Sequence, residues 1–482
     1  MEQVADFFRD SLVQGVFTVI GALGVLAWVV FFPIRWLRHR GKQPTGPVRP
    51  PTPQGQRPLT VQAGERSPTI VAEPGATVIV NVYTDGLPDA KAQVRNPFEE
   101  GKRLQQAGQH EAAIAQFEKA FAAADNDSQR CALHILIGNA FMEAARLREA
   151  EGHYRQGLDA AGRANDRAGE AGALGNLGLL HARRGEFHKA EEQQKKALAI
   201  NEQIGSLLGQ ANALGNLGLV YAQRGDLDRA EDHQSRALHM RQRIGDAQGR
   251  AASLGNLGNV YADRGQLDKA EDHYKQALAL EKQIGRRAGE ALALGNLGNV
   301  YFHSGDLDSA EEHYSKALAI HQQGRNLLGE ANQLGNLGNV HAHRDDLDRA
   351  EEYYRKALEL HQQIPNPVGQ ARVLANLGLV YAARNQLDQA ERHLKSALNL
   401  HRHVGHRLGQ ANALAALGLV AARRGDAAKA RSLLNQAKAL YEATGAGGPA
   451  PETVRRALER IEGATARQPK RKRARKKPPP KP

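Results

Sequence analysis

The sequence is poor in cysteine and in aromatic residues. It has one cysteine, Cys131, among 482 residues, and aromatic residues make up 5% of the chain. A single cysteine excludes a disulfide framework and a zinc site built from clustered cysteines. We interpret Cys131 as a small core residue rather than a nucleophile.

Motifs of the common catalytic and cofactor sites are also missing. The sequence has no phosphate-binding loop, no H-E-x-x-H zinc motif and no nucleophile elbow. All but one of its 19 histidines lie between residues 110 and 406, but no spacing among them converges on a metal. We interpret these histidines as packed or solvated, and we expect no enzymatic activity, no metal and no cofactor.

The positive charge is concentrated at the C-terminus. Of the net charge of +13, residues 1–95 contribute +3, residues 96–445 about +1 and residues 446–482 +9. The block from 467 to 482 is predicted to be a disordered basic tail, since like charges repel one another. It favours contact with anionic lipid or no contact at all, with nucleic acid the less favoured partner. The tail residues assigned to such a polyanion are Lys470, Arg471, Lys472, Arg473, Arg475, Lys476 and Lys477.

One long apolar run lies near the N-terminus. Residues 12–32 are almost wholly apolar, and at helical rise they span roughly 31 Å, about the thickness of a bilayer's hydrocarbon core. Basic residues follow the run at Arg35, Arg38 and Arg40. The pattern predicts a transmembrane helix at 12–32, with residues 1–11 outside and the rest in the cytoplasm. The predicted location is therefore a single-pass protein of the inner or plasma membrane.

Between this run and the repeats, the sequence predicts two small segments. Residues 33–58 are basic and then rich in proline, which is typical of an extended linker. Residues 59–94 include β-branched runs on either side of Pro74-Gly75, which predict a β-hairpin over residues 69–83. The hairpin could dock on the repeats or pair two chains, and the sequence does not decide between these.

An internal repeat dominates the rest of the chain. Its mark is an alanine that recurs every forty residues, at Ala190, Ala230, Ala270, Ala310, Ala350, Ala390 and Ala430. Weaker equivalents at Ala150 and Ala113 extend the array backwards, giving nine units from Pro97 to Gly445.

Each unit is predicted to form two helices. In the first helix, Leu214, Leu217 and Tyr221 follow the spacing of one buried stripe. Asp226 follows Gly225 and is placed to cap the second helix, whose apolar face includes Ala230.

These marks resemble the tetratricopeptide repeat. The Leu-Gly pair, an aromatic residue three positions on, and alanines twelve and nineteen positions on agree with its pattern, as at Gly258, Tyr261, Ala270 and Ala277. The repeated Leu-Gly-Asn-Leu-Gly resembles the longer repeats of spindle-orientation adaptors and of bacterial scaffold proteins. The resemblance implies an all-α, right-handed superhelical solenoid over residues 95–445, with a capping helix at 446–466. The usual early tryptophan and the proline after the second helix are absent.

The same resemblance implies a peptide-binding groove on the first helices. Asparagines recur on the side of each first helix that lies about 150° from its buried stripe, and a carboxamide can pair with the backbone of an extended peptide. In the similar adaptors, such a row holds a partner segment. The alternative is that these asparagines only bond to neighbouring repeats. The predicted groove residues are Asn176, Asn212, Asn216, Asn256, Asn259, Asn296, Asn299, Asn332, Asn336, Asn339, Arg372 and Asn376.

The sequence therefore predicts a non-enzymatic, membrane-anchored scaffold that binds an extended protein segment. Two alternatives stay open: a scaffold that self-assembles through the hairpin, possible as a homo-oligomer, and a tether that acts through the basic tail. A chaperone-tail clamp is rejected, because the positions that would need basic residues are glycines, such as Gly255 and Gly295.

Overall fold

The computed structural model describes residues 87, 90–106, 109–364, 366–446 and 449–466. Within these ranges the chain forms 19 helices and no strand. Eighteen of the helices alternate as the first and second members of nine successive units, numbered 1 to 9 from the N-terminal end of the array. This arrangement confirms the all-helical solenoid expected from the repeat.

The first helices are α1 Ala92–Gln106, α3 Asp127–Glu143, α5 Arg167–Arg183, α7 Leu207–Gln223, α9 Ala247–Asp263, α11 Arg287–Ser304, α13 Leu327–His343, α15 Pro367–Ala383 and α17 Arg407–Arg423. The second helices are α2 His110–Ala122, α4 Leu147–Ala164, α6 Phe187–Gln203, α8 Leu227–Arg243, α10 Leu267–Gln283, α12 Leu307–Gln323, α14 Leu347–Gln363, α16 Leu387–His403 and α18 Ala427–Thr444. A further helix, α19 Pro449–Ala466, packs after α18.

Local sequence explains where the helices begin and end. Gly225 has a φ of +78° and so provides the left-handed residue that ends the turn after α7. The carboxylate of Asp226 then accepts a hydrogen bond from the backbone N–H of Arg229, 3.2 Å away, and caps α8.

Close packing within a unit depends on a glycine in the first helix. A Cβ added at Gly258 would lie 2.5 Å from the ring of Tyr274, which belongs to the second helix of the same unit. The repeated alanines, such as Ala270, are fully buried beside it. Small residues therefore allow the two helices of a unit to approach closely.

The first helices form the inner layer of the array. Contacts recur between successive first helices, whereas a second helix contacts chiefly the first helices on either side of it. The first helices therefore line the inner side, and their exposed faces form what we call the inner surface.

Ion pairs join neighbouring units on the opposite edge. An arginine at the end of a first helix binds a glutamate 33 residues earlier, in the second helix of the preceding unit. We call this set the ion-pair ladder; its members are Arg184–Glu151, Arg224–Glu191, Arg264–Glu231, Arg344–Glu311, Arg384–Glu351 and Arg424–Glu391. In α11 the residue at the position of the ladder arginine is Ser304. Glu271 therefore has no arginine of the next unit with which to form this ion pair.

Polar pairs also lie at the junctions between units. In each pair the two residues are five positions apart: one is buried in the last turn of a second helix, and the other precedes the next first helix. Arg241 is fully buried and lies 3.6 Å from Asp246, and Glu281 accepts two bonds from Arg286 at 2.7 and 2.5 Å. At a later junction, Nδ1 of His401 lies 3.2 Å from Nδ1 of His406.

Several predicted segments lie outside the described residues. These are the apolar segment 12–32, the linker, the hairpin at 69–83 and the basic tail after residue 466. Among the helices in the described ranges, none combines the length and the apolar character needed to cross a bilayer. This finding corrects the predicted location: the assignment as a single-pass membrane protein with cytoplasmic repeats is wrong.

Candidate peptide-binding surface

The predicted asparagine row lies on the first helices, but most of it is buried. Asn176, Asn216, Asn256, Asn296 and Asn376 are between 0% and 6% exposed. Only Asn336 in this row is half-buried. Successive first helices pack so closely that they cover much of the face that the sequence pattern predicts to be open.

Asn176 and Asn376 of this row bond to the neighbouring unit. The Asn176 amide donates to Oδ1 of Asn139 at 3.0 Å, and the Asn376 amide donates to Oδ1 of Asn339, also at 3.0 Å. The alternative interpretation, a bond between repeats, therefore holds for Asn176 and Asn376.

A second set of predicted groove residues pairs with tyrosines of the second helices. The hydroxyl of Tyr274 donates to Oδ1 of Asn259 at 2.6 Å, and the hydroxyl of Tyr354 donates to Oδ1 of Asn339 at 2.7 Å. These asparagines hold the two helices of a unit together. Sequence reasoning missed this role, although asparagine appears at this position only in units whose second helix carries the tyrosine. The other two such pairs are Tyr154–Asn139 and Tyr314–Asn299.

A third row lies one helical turn earlier and is more open. Asn212, Asn332 and Arg372 are half-buried. Asn212 accepts a bond from the buried Arg241 at 3.1 Å. Arg372 donates to Oδ1 of Asn332 at 2.9 Å, and burial lowers the pKa of its guanidinium below the usual range. Arginine stays charged under such a shift, so a positive charge is present on the inner surface.

A fourth row, near the ends of the first helices, includes a half-buried acid, Asp263. Oδ1 of Asp263 and Oε1 of Gln223 are buried and have no hydrogen-bond partner among the described residues. Burial raises the pKa of Asp263 to about 7. In the same row His303 is half-buried, and burial lowers its pKa. The sequence pattern predicted that these residues lie in one row. It did not predict that an oxygen of Asp263 is buried.

Glycines leave unfilled space in this surface. A Cβ built at Gly255 or Gly335 would meet no heavy atom within 4 Å. At the equivalent Gly215 the guanidinium of Arg241 comes within 3.4 Å, and at Gly295 the Gln333 amide comes within 2.9 Å. Open space therefore lies beside Asn256 and Asn336. At Gly215 and Gly295 the equivalent space is occupied by side chains.

The remaining chemistry of the array is structural. Cys131 is fully buried, and burial raises the pKa of its thiol to about 12, so it stays protonated at neutral pH. The repeated histidines pack on tyrosines, as where the rings of His273 and Tyr261 lie 4.9 Å apart. In the described ranges no group of three or more potential ligand side chains is arranged to hold a metal ion.

Three tetratricopeptide family models match the chain. The MalT-like tetratricopeptide region matches residues 286–467, and two tetratricopeptide repeat models match residues 209–283 and 171–204. Together they extend over more than half of the sequence. The chain belongs to the tetratricopeptide repeat family. This confirms the resemblance inferred from the Leu-Gly and alanine spacing.

Solved structures share the tetratricopeptide fold at low sequence identity. A signal transduction ATPase with numerous domains and a tetratricopeptide repeat sensor, from Pyrococcus horikoshii, is 16% identical with a TM-score of 0.54, over 78% of this chain and 55% of that chain. Aspartyl phosphate phosphatase F from Bacillus subtilis is 11% identical with a TM-score of 0.52, over 74% of this chain and 96% of that chain. The apo quorum sensor NprR from B. thuringiensis is 14% identical with a TM-score of 0.51, over 72% and 98%. Among curated proteins none matches this chain significantly.

Proposed function

We propose that this chain is a non-enzymatic scaffold that binds an extended segment of a protein partner along its inner surface. Tetratricopeptide solenoids expose long inner surfaces of this kind, because each unit contacts only its neighbours and the array curves. The observation that carries the proposal is the unfilled space at Gly255 and Gly335, beside Asn256 and Asn336.

The chemistry of these places suits a peptide backbone. A glycine lets a second backbone approach closely, since no side chain stands in the way. A carboxamide beside it offers a donor and an acceptor, as a backbone does. Asn256 and Asn336 lie beside the two glycines, and Asn296 is the equivalent residue of the unit between them, so the proposal is tested at these three asparagines.

A glycine substitution tests the surface without removing any contact of the fold. Gly255→Leu places a side chain in the unfilled space and should abolish binding of peptides selected from a displayed library of random linear peptides. Gly162→Leu is the matched control, because Gly162 is exposed on a second helix and its added Cβ also meets nothing within 4 Å. Thermal unfolding of both variants checks that the array is intact.

An asparagine variant tests the polar contacts. Replacing Asn256, Asn296 and Asn336 together by alanine removes up to three hydrogen-bonding groups, each worth about 0.5–1.5 kcal/mol, so binding of the selected peptides should weaken at least about tenfold. Asn399→Ala, on the exposed side of α16, is the control. The proposal fails if the triple variant and Gly255→Leu both bind the selected peptides as the unaltered chain does.

A further inference from the structure

Two ionisable side chains of the inner surface, Arg372 and Asp263, form no ion pair within 4 Å among the described residues. Arg372 lies on α15 in unit 8, and Asp263 lies at the end of α9 in unit 5. We propose that the bound segment carries an acidic residue that pairs with Arg372 and a basic residue that pairs with Asp263, so that these two charges set its register. This inference rests on the proposed function and specifies the chemistry of its partner.

Arg372 differs from Arg241 and from the arginines of the ion-pair ladder. A guanidinium has five N–H donors, but the only side chain to which Arg372 donates among the described residues is the neutral Asn332. Arg241, by comparison, donates to the Gly249 carbonyl, Ser253 and Asn212 and lies 3.6 Å from the carboxylate of Asp246. The arginines of the ion-pair ladder each bind a carboxylate. Arg372 thus presents unused donors from a position where water is partly excluded.

Desolvation makes this charge a strong binding group. A half-buried cation without a counter-ion has lost part of its hydration and has gained no ion pair in return. A carboxylate that docks on it forms charge-assisted hydrogen bonds, often two at once. In units 2 to 9 the other equivalent positions are neutral residues such as Ala252, Leu292 and Asn412. Among these eight units, an acidic residue of the partner can therefore form this pair at one.

Asp263 has an acceptor without a donor, whereas Arg372 has donors without acceptors. Its Oδ1 and the Oε1 of Gln223, at the same position one unit earlier, are two buried acceptors without donors among the described residues. In units 3 and 9 this position is Arg183 or Arg423, which donates to the carbonyl of Met142 or Ala382. Units 3 and 9 therefore have a hydrogen-bond donor at this position, whereas unit 5 has an acceptor, Asp263. The ammonium or guanidinium of a partner side chain supplies the missing donors and the missing charge.

The experiment uses the full chain and a displayed library of random linear peptides. Peptides that bind the unaltered chain and lose binding to Gly255→Leu are synthesised. Each is compared with copies in which its acidic residue becomes Gln or its basic residue becomes norleucine. For the unaltered chain we expect each change to weaken binding about tenfold, as for the loss of a charge-assisted hydrogen bond. With Arg372→Gln, replacing the acidic residue of the peptide should no longer weaken binding. With Asp263→Asn, replacing the basic residue of the peptide should no longer weaken binding.

Matched controls separate a local effect from a change in net charge. Arg402→Gln and Asp272→Asn alter exposed residues of second helices and should leave both preferences intact. The proposal is overturned if either peptide substitution leaves binding to the unaltered chain unchanged, or if a control variant abolishes a preference. A library that yields no peptide sensitive to Gly255→Leu instead overturns the proposed function itself.

Discussion

The hydroxyl of Tyr314 donates a hydrogen bond to Oδ1 of Asn299, 2.8 Å away, and joins the second helix of a unit to its first. Where the second helix has leucine instead, at Leu394 or Leu434, the first helix also has leucine, at Leu379 or Leu419. The two positions therefore vary together, and a buried polar pair is exchanged for a buried apolar one.

Breaking this pair on one side should destabilise the array. Asn299→Leu leaves the hydroxyl of Tyr314, a residue only 2% exposed, without its acceptor, which costs about 1–3 kcal/mol. The double variant Asn299→Leu with Tyr314→Leu recreates the apolar pair of units 8 and 9 and should recover part of that loss. Thermal unfolding together with hydrogen exchange in α11 and α12 measures both variants. A double variant no more stable than the single one would contradict the pairing.

Two glycines of α13 should respond oppositely to the same substitution. A Cβ at Gly338 would lie 2.6 Å from the ring of Tyr354, which is buried and has no room to move. Gly338→Ala should therefore lower the midpoint of thermal unfolding. At Gly335 the added methyl meets nothing within 4 Å, so Gly335→Ala should stabilise the helix by up to about 1 kcal/mol. Equal midpoints for the two variants would refute the packing role of Gly338.

The gap in the ion-pair ladder should be fillable. Ser304→Arg places a guanidinium opposite Glu271 and Asp268, as Arg344 stands opposite Glu311 and Asp308. Because such pairs are partly exposed, we expect a gain of up to about 1 kcal/mol that shrinks as salt is added. The reverse change, Arg344→Ser, should cost a similar amount. The check is urea unfolding at low and high ionic strength, and a gain independent of salt would argue against an ion pair.

Acid should destabilise the junction between units 7 and 8 through His361. Burial lowers the pKa of His361 to about 4, and the charge of Arg372 adds to the shift. Below the unfolded pKa of about 6.5 the unfolded chain takes up a proton that the folded chain does not. The free energy of unfolding therefore falls as the pH drops from about 6.5 towards 4, and it does not change further below that.

Replacing the buried histidine should remove this component. His361→Asn introduces the residue found at the equivalent Asn201 and should flatten the pH dependence of the unfolding midpoint between pH 6.5 and 4. His239→Gln, an exposed histidine of α8, should leave it unchanged. An identical pH profile for His361→Asn and the unaltered chain would exclude His361 as the source.

The period of the repeats made much of the fold predictable, whereas the inner surface was predictable only in part. Alanine and Leu-Gly spacing indicated paired helices, because their small side chains are needed where the two helices cross. The asparagine row was placed on the correct helices, but its burial was missed, since a pattern within one helix does not reveal how closely the next unit packs. The pairing of Tyr274 with Asn259 was readable as covariation between units. The surroundings of Arg372 and Asp263 depend on side chains from other helices, and one period of the sequence does not contain them.

The junction pairs have a consequence for how this gene could lengthen. Arg241 with Asp246 and Glu281 with Arg286 differ in chemistry, but the two members of each pair are encoded only five codons apart. When two units recombine at equivalent points, both residues of a pair come from the same parent, provided that the crossover does not fall between their codons. Whole units can therefore be gained or lost by unequal exchange without leaving a buried charge unmatched at the new seam.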